Sequence, residues 1–296
     1  MVSWVHPAAA GVSTRLANIR ISQYTSIGRP LGFRAAIDRA VLLVSLASAV
    51  SGAALAWSSG DAPAQALWQA MVWLLVVFGS WALAREFNPD DPPAAFIGMA
   101  AGLVTAFGVA SPGILLAFTT LALMRIVNRS SGLAARKSDS IGVTVLAIVV
   151  MYTTRSPFFG VVAALAFILD GSLREPLRHQ WLFALVCAGA TIVYMVDHDV
   201  GLAWFRVPGT LLEWLSLLFV LILALNALLL REVRSRGDFT GRELDLARVR
   251  GAIAVGLAAV LQGLNRPAQV AIVVAAIAGI SMGMALRKGF RVRVPG

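Results

Sequence analysis

Apolar residues along this chain come in long unbroken runs separated by short polar stretches, without the strict alternation that marks half-buried strands. Ten runs can be marked, at about 36–57, 65–84, 94–110, 112–127, 140–155, 157–170, 180–196, 209–230, 251–265 and 268–286. Continuous runs predict helices, and a β-barrel is disfavoured because its strands alternate apolar and polar positions. The pattern predicts an all-α, polytopic integral membrane protein with about ten transmembrane helices arranged as five helical hairpins. A basic N-terminal segment (1–35) would precede the transmembrane domain (36–286), and a basic tail (287–296) would follow it.

The polar stretches give the threading. With the N-terminus placed in the cytoplasm, 22 of the 25 Lys and Arg residues fall on the inner side, and only Arg155, Arg206 and Arg266 fall outside. Such a split follows the positive-inside rule and puts both termini in the cytoplasm. Each outer turn contains a proline (Pro63, Pro112, Pro157, Pro208, Pro267); Pro112 and Pro157 open their runs, and no proline falls in the interior of a run. Proline suits a first helical turn, where its missing N–H is not needed. Ser111 and Ser156 stand where a serine would cap the returning helix. Spacing between the tip prolines is uneven, so a tandem repeat does not follow.

Segments 1–35 hold Arg15, Arg20, Arg29 and Arg34 but no apolar core, so a cleavable signal peptide is not expected; Ser13–Ile21 is a weak candidate for an interfacial helix. Several runs are short for a bilayer and are expected in the middle of the bundle, with 36–57, 65–84 and 209–230 facing lipid. Trp57, Trp68 and Trp204 fall at the outer boundary and Trp81 at the inner one, as in an aromatic belt. Gly98 and Gly102, and Ala271, Ala275, Gly279 and Gly283, recur every four residues and predict close helix contacts, within the chain or across a dimer. In the long loop 231–250, Thr240 and Glu243 have capping-box spacing and predict a helix running into the ninth span.

Composition narrows the function classes. The chain is 58% hydrophobic and 14% charged, with a mean hydropathy of +0.79, too little charge to cover a water-facing surface. The net charge of +10 does not point to nucleic acid, because the basic residues lie between apolar runs and not on a soluble face. The one cysteine, Cys187, excludes an internal disulfide. There is no P-loop, dinucleotide fingerprint or HExxH helix, and His6, His179 and His198 all lie away from span centres. No Asp, Glu, Lys or Arg falls mid-span; Glu213 comes closest, and Asn226 is polar near the inner end of the same span. An ion-coupled carrier usually keeps such a group near the midplane.

Candidate chemistry therefore gathers on the inner face, in REFNPDDPP (85–93), RIVNRSSGLAARKSD (125–139) and DGSLREP (170–176). Arg85, Asn88, Asp90 and Asp91 follow the second span. Arg125, Asn128 and Arg129 end the fourth, the two arginines on one helical face by their i,i+4 spacing. Asp139 precedes the fifth span, and Asp170, Arg174, Glu175 and Arg178 follow the sixth. Guanidinium forks suit phosphate, and carboxylates suit a hard cation such as Mg²⁺. The ten residues Arg85, Asn88, Asp90, Asp91, Arg125, Asn128, Arg129, Asp170, Arg174 and Glu175 are the candidate headgroup or phosphate contacts; as boundary charges they equally serve to set topology.

The acidic loops after the second and sixth spans, with the string SWALAREFNPDDPP (80–93), resemble in layout the UbiA-type intramembrane prenyltransferases. That resemblance implies prenyl transfer with Mg²⁺ at the cytoplasmic leaflet. Ser80, Trp81, Ala84 and Asn88 stand where the family motif has its Asn and aspartates, the second loop offers only Asp170 and Glu175, and that family usually has nine spans. In span count the chain is also similar to drug/metabolite-type exporters. Three functions are thus expected in descending order: an accessory or structural inner-membrane protein with a charged cytoplasmic face, an enzyme on a lipid-linked prenyl phosphate, and a small-solute transporter. The partners expected are the bilayer and, with it, anionic lipid or a membrane protein, with no nucleic acid. No metal ligand set and no catalytic residue is assigned, and Mg²⁺ is a cofactor only on the enzyme alternative.

Overall fold

A computed structural model describes residues 25–28, 36–110, 112–200, 207–263 and 266–292. The described chain is all-α: α1 (Ala36–Ser58), α2 (Pro63–Phe87), α3 (Pro92–Gly108), α4 (Ile114–Asn128), α5 (Lys137–Thr154), α6 (Phe158–Ser172), α7 (Gln180–Asp197), α8 (Leu211–Leu229), α9 (Leu246–Gly263) and α10 (Pro267–Val292). Each helix overlies one of the ten apolar runs. Five are long and apolar enough to cross a membrane: α1, α2, α7, α8 and the Pro267–Leu286 part of α10. α3, α4 and α6 are apolar but have only 15–17 residues, about 22–26 Å against a hydrocarbon core of roughly 30 Å. α5 and α9 open on charged residues, Lys137 and Asp139 in one and Arg248 and Arg250 in the other.

Local chemistry sets the helix ends. Pro63 and Pro267 are first residues of α2 and α10, and Pro92 and Pro93 open α3 behind Asp91, whose carboxylate accepts the Ala94 N–H at 3.1 Å. Thr210 and Glu213 form a reciprocal capping box at the start of α8. α4 and α5 stop at Arg129 and Arg155, both in the left-handed region at φ 51°. α6 starts behind Pro157, with the Phe159 N–H on the Ser156 carbonyl; Ser111 lies outside the described residues.

The centre of the bundle is α2, α4, α9 and α10, with Val76, Leu83, Phe87, Leu123, Met124, Val255 and Ile277 buried among them. α1 packs on α2, α7 on α5 and α6, and α8 on α9 and α10. Exposed Leu43, Leu46 and Val50 on α1, Leu182 and Leu185 on α7, and Leu225 and Leu228 on α8 form outer faces that suit hydrocarbon. The short α4 and α6 are interior, as expected. α2 is also central, contrary to the expectation that 65–84 faces lipid, because α1, α3, α4 and α10 all cover it. Trp81 is buried beside Phe78, not in an interfacial belt; Trp57 and Trp68 are exposed, and Trp204 lies outside the described residues.

Sequential helices are not always packed neighbours. α3 packs along α10 and α2 and not along α4, and α7 does not pack along α8. The five-hairpin expectation is corrected at those two places. Small residues explain the first: a Cβ at Gly279 would lie 2.2 Å from the Gly98 Cα, and one at Gly283 would lie 2.7 Å from the Ala94 Cβ. The four-residue glycine spacing therefore serves an intrachain crossing of α3 on α10. α10 runs six residues beyond the expected boundary at 286, and the interfacial helix considered for 13–21 lies outside the described residues.

Replacing Gly279 by valine should force these two backbones apart and lower the melting temperature of detergent-solubilised protein sharply, by an overpacking cost of about 1–3 kcal/mol or more. Gly189→Ala, where an added Cβ meets nothing within 4 Å, should leave the melting curve unchanged. Equal behaviour of the two variants would refute the close crossing.

Candidate functional site

One end of the bundle collects the polar chemistry, and the segment Arg125–Ser131 at the end of α4 organises it. Arg125 donates from Nε to Glu86 Oε1 at 2.9 Å, Ser130 Oγ to the same oxygen at 3.0 Å, and Asn128 Nδ2 to Oε2 at 3.1 Å. Glu86, at the end of α2, is thereby buried with both oxygens occupied. At Arg129 the backbone turns left-handed (φ 51°, ψ 44°). This turn sends Arg129 away from Arg125, so the expected shared face does not form. The Arg129 Nε and Nη2 reach Asp170 Oδ1 on α6, at 3.0 and 2.8 Å, and Nη2 also donates to the Glu175 carbonyl at 3.1 Å.

Asp170 is 0% exposed and carries a second guanidinium: Arg248, at the start of α9, donates from Nη1 to the same oxygen at 2.6 Å. Its other oxygen accepts Gln180 Nε2 from α7 at 3.0 Å. The surplus positive charge is spread over carbonyls. Arg248 donates to Val127 O at 3.0 Å and to Arg174 O at 3.1 and 2.5 Å, and Val127 sits in the last turn of α4, where carbonyls lack helical partners. Burial pulls the Arg129 guanidinium below its usual value, and Asp170 pulls it back up.

Two further elements close on this hub. Ser26 is buried: its N–H and Oγ donate to Asp139 Oδ2 at 2.7 and 2.5 Å, and its carbonyl accepts from Ser131 Oγ at 2.5 Å. Arg125 Nη1 donates to the neighbouring Ile27 carbonyl at 3.1 Å. The loop after α8 forms a small turn, with Arg236 bridged to Glu243 and Gly241 at φ 65°, and docks through the Asp238 and Phe239 N–H groups on the Ser130 and Ser131 carbonyls. Thr240 and Glu243 therefore belong to a turn and do not cap a helix. α9 begins at Leu246 behind Asp245, which accepts the Arg248 N–H at 3.1 Å.

The remaining candidates divide by task. Asp90 accepts from the Arg234 N–H at 3.0 Å and from the Ser235 N–H and Oγ at 2.7 and 2.6 Å, holding the loop to the end of α2. Asp91 caps α3, Asn88 ends α2, and Arg85 lies 5.7 Å over the Trp81 ring. Glu175 is exposed at φ 56°, and Arg174 is 81% exposed with Asp245 at 3.9 Å. The carboxylates do not fit an Mg²⁺ site, since Asp90, Asp91 and Asp170 each spend their oxygens on amides or guanidiniums in different places. Among the described residues no three His, Cys, Asp or Glu side chains group as metal ligands. Ser80, Trp81 and Ala84 are buried in α2, Ser80 and Ala84 of them against Gly102 and Gly98 of α3, so the motif-like string is mostly helix interior.

Of the ten candidates, Asn128, Arg129, Arg174 and Glu175 line one polar cavity of about 460 Å³, whose other walls are Gly132, Thr240 and the 242–246 stretch with Arg248. Sequence reasoning passed over Glu86, Ser26, Gln180, Arg242 and Arg248. Glu86 stood in the REFNPDDPP string, between candidates, and gave no other signal. A larger cavity of about 740 Å³ lies between α3, α8 and α10. Its polar residues bond their own backbone: Thr105 Oγ1 to Ala101 O at 3.0 Å, Ser216 Oγ to Leu212 O at 2.8 Å, and Glu213 to the Gly209 N–H at 2.7 Å.

Comparison of the chain with protein-family models, curated proteins and solved structures gave no match.

Replacing Asp170 by asparagine should destabilise the fold by about 3–5 kcal/mol, because two buried guanidiniums lose their counter-charge. Glu175→Gln, at a 75% exposed side chain, should change stability by less than about 1 kcal/mol. Thermal unfolding in detergent checks both, and a mild Asp170→Asn would mean the triad is not what holds α4, α6 and α9 together.

Proposed function

We propose that the chain is a multi-pass protein of a bacterial-type inner membrane, threaded ten times with both termini in the cytoplasm, and that its role is accessory or structural. The observation that carries this reading is how the inner-face charges are used. Glu86, Asp90, Asp91, Asp139 and Asp170 are all spent as acceptors that tie α2, α3, α4, α5, α6, α7, α9 and the 234–240 loop into one block. An enzyme of the prenyl-phosphate class needs carboxylates with oxygens to spare for a cation. A solute carrier needs polar groups open to its path, whereas the wall of the 740 Å³ cavity has its polar groups already bonded. A rigid block with an exposed arginine-rich loop, holding Arg234, Arg236 and Arg242, suits a protein that presents a fixed charged surface to a neighbour or to anionic lipid.

Two measurements test this. In a Cys187→Ala background, a cysteine placed at Gly60 should react with a membrane-impermeant maleimide in intact cells, and one placed at Glu243 only after permeabilisation. The reverse pattern would overturn the threading. For the role, charge reversal at Arg234 and Arg236 should release a protein that co-purifies after mild solubilisation, without altering the melting curve. A chain that purifies free of any protein or anionic lipid, before and after reversal, would count decisively against it.

A further inference from the structure

The polar cavity above the Asp170 hub has features the hub itself does not need. Its floor holds Asn128, 1% exposed, which gives its amide N–H to Glu86 and leaves Oδ1 buried with no hydrogen-bond partner. The orientation of that amide is not open, since turning it would set an oxygen against the Glu86 carboxylate. A buried acceptor without a partner is costly wherever nothing donates to it. Here it belongs to a residue lining a cavity of about 460 Å³, so a donor entering the cavity would complete it.

The charges around the cavity are unevenly paired. Asp170 is shared by Arg129 and Arg248, Glu175 lies 4.0 Å from Arg129 Nη1, Asp245 lies 3.9 Å from Arg174, and Glu243 lies 3.8 Å from Arg236. Among the described residues four arginines line the cavity, Arg129, Arg174, Arg242 and Arg248, and Arg242, exposed at the rim, is the one with no carboxylate at ion-pair distance. Beside it Thr240 Oγ1 accepts the Arg242 N–H at 3.3 Å and keeps a hydroxyl proton to give. Arg174, also at the rim, is held by Asp245 only at long range. Guanidinium forks at a rim recognise an oxyanion with several acceptor oxygens, and arginine suits phosphate better than a point-charge ammonium does.

We propose that this cavity binds a phosphate ester that also carries hydroxyl or amino donors. The phosphate sits on Arg242 and Arg174 at the rim, and a donor of the same molecule reaches Asn128 Oδ1 on the floor. The ester is borne by a lipid or free in the cytoplasm; both present the same chemistry to the site. The inference stands apart from the accessory role, since it concerns what the cavity holds and not what the face contacts.

The test uses the full chain. In detergent at constant ionic strength, melting curves are recorded with inorganic phosphate, with glycerol 3-phosphate and with sulfate. In nanodiscs they are recorded with phosphatidylcholine alone and with added phosphatidylglycerol. The expected result is a saturable rise with glycerol 3-phosphate that exceeds that with inorganic phosphate, or, for a lipid-borne ester, a rise that requires phosphatidylglycerol. Arg242→Glu and Arg174→Ser, both at exposed side chains and so compatible with folding, should each weaken the effect about tenfold or more, as expected for a lost charge-assisted contact. A rise that persists in both variants would place the binding elsewhere and overturn the proposal. So would the lack of a saturable rise with any of these probes, or an equal response to glycerol 3-phosphate and inorganic phosphate with no effect of phosphatidylglycerol.

Discussion

One buried carboxylate shared by two buried guanidiniums constrains most of this architecture. Asp170, Arg129 and Arg248 come from three different helix ends, and all three are buried, Asp170 completely. Removing ions from water costs several kcal/mol each, and the mutual attraction repays this only with good geometry and with the remaining donors satisfied. Both conditions restrict the chain. The carboxylate oxygen must sit within 3.0 Å of both arginines, and the left-over charge must meet the carbonyls of residues 127, 174 and 175. Those carbonyls are free only because α4 and α6 stop where they do. The ends of α4, α6 and α9 therefore specify one another.

The left-handed turn at Arg129 is the hinge of this arrangement. A non-glycine residue at φ 51° is uncommon and persists where its surroundings hold it. Here Asp170 holds the side chain and the Ser130 and Ser131 carbonyls dock the 238–239 amides. Had the helix continued, Arg125 and Arg129 would lie on one face and compete for one carboxylate. The turn lets each take its own, so seven residues, RIVNRSS, serve Glu86, Asp170, Ser26 and the loop after α8.

The sequence made the helices legible because continuous apolar runs have one cheap backbone solution in a bilayer, and prolines mark where several of them begin. It made the polar end legible as a region, since charge in so apolar a chain has few places to go. The pairing was not legible. Asp90 and Asp170 look alike in a loop string, yet one holds a loop at the surface and the other sits beneath two arginines, a difference that depends on which helix end arrives opposite. Two capping-box spacings show the same limit. Thr210–Glu213 caps a helix, whereas Thr240–Glu243 is drawn into a turn by Gly237, Gly241 and the close approach of Gly132. Helix neighbours failed likewise, because the Gly98–Gly279 contact joins residues 181 positions apart and no local pattern says which glycine stripes meet.

The short helices and the polar cavity have one origin. A 15-residue helix covers about 22 Å, so it reaches both surfaces of a roughly 30 Å core only if something else completes the distance. α4 and α6 end early and meet their polar partners within the protein, the end of α4 at Glu86 in the last turn of α2 and the end of α6 at Arg129 and Arg248, so the Glu86 and Asp170 clusters form a floor. Over this floor the 231–245 loop forms a roof, pinned by Asp90 on one side and by the Ser130 and Ser131 carbonyls on the other. The roof is held by backbone hydrogen bonds, by the Asp90 carboxylate and by Val233 and Leu244, which pack against the core. The loop's charged residues Arg242, Glu243 and Asp245 line the space between roof and floor, and pressing them onto the floor would cost their hydration.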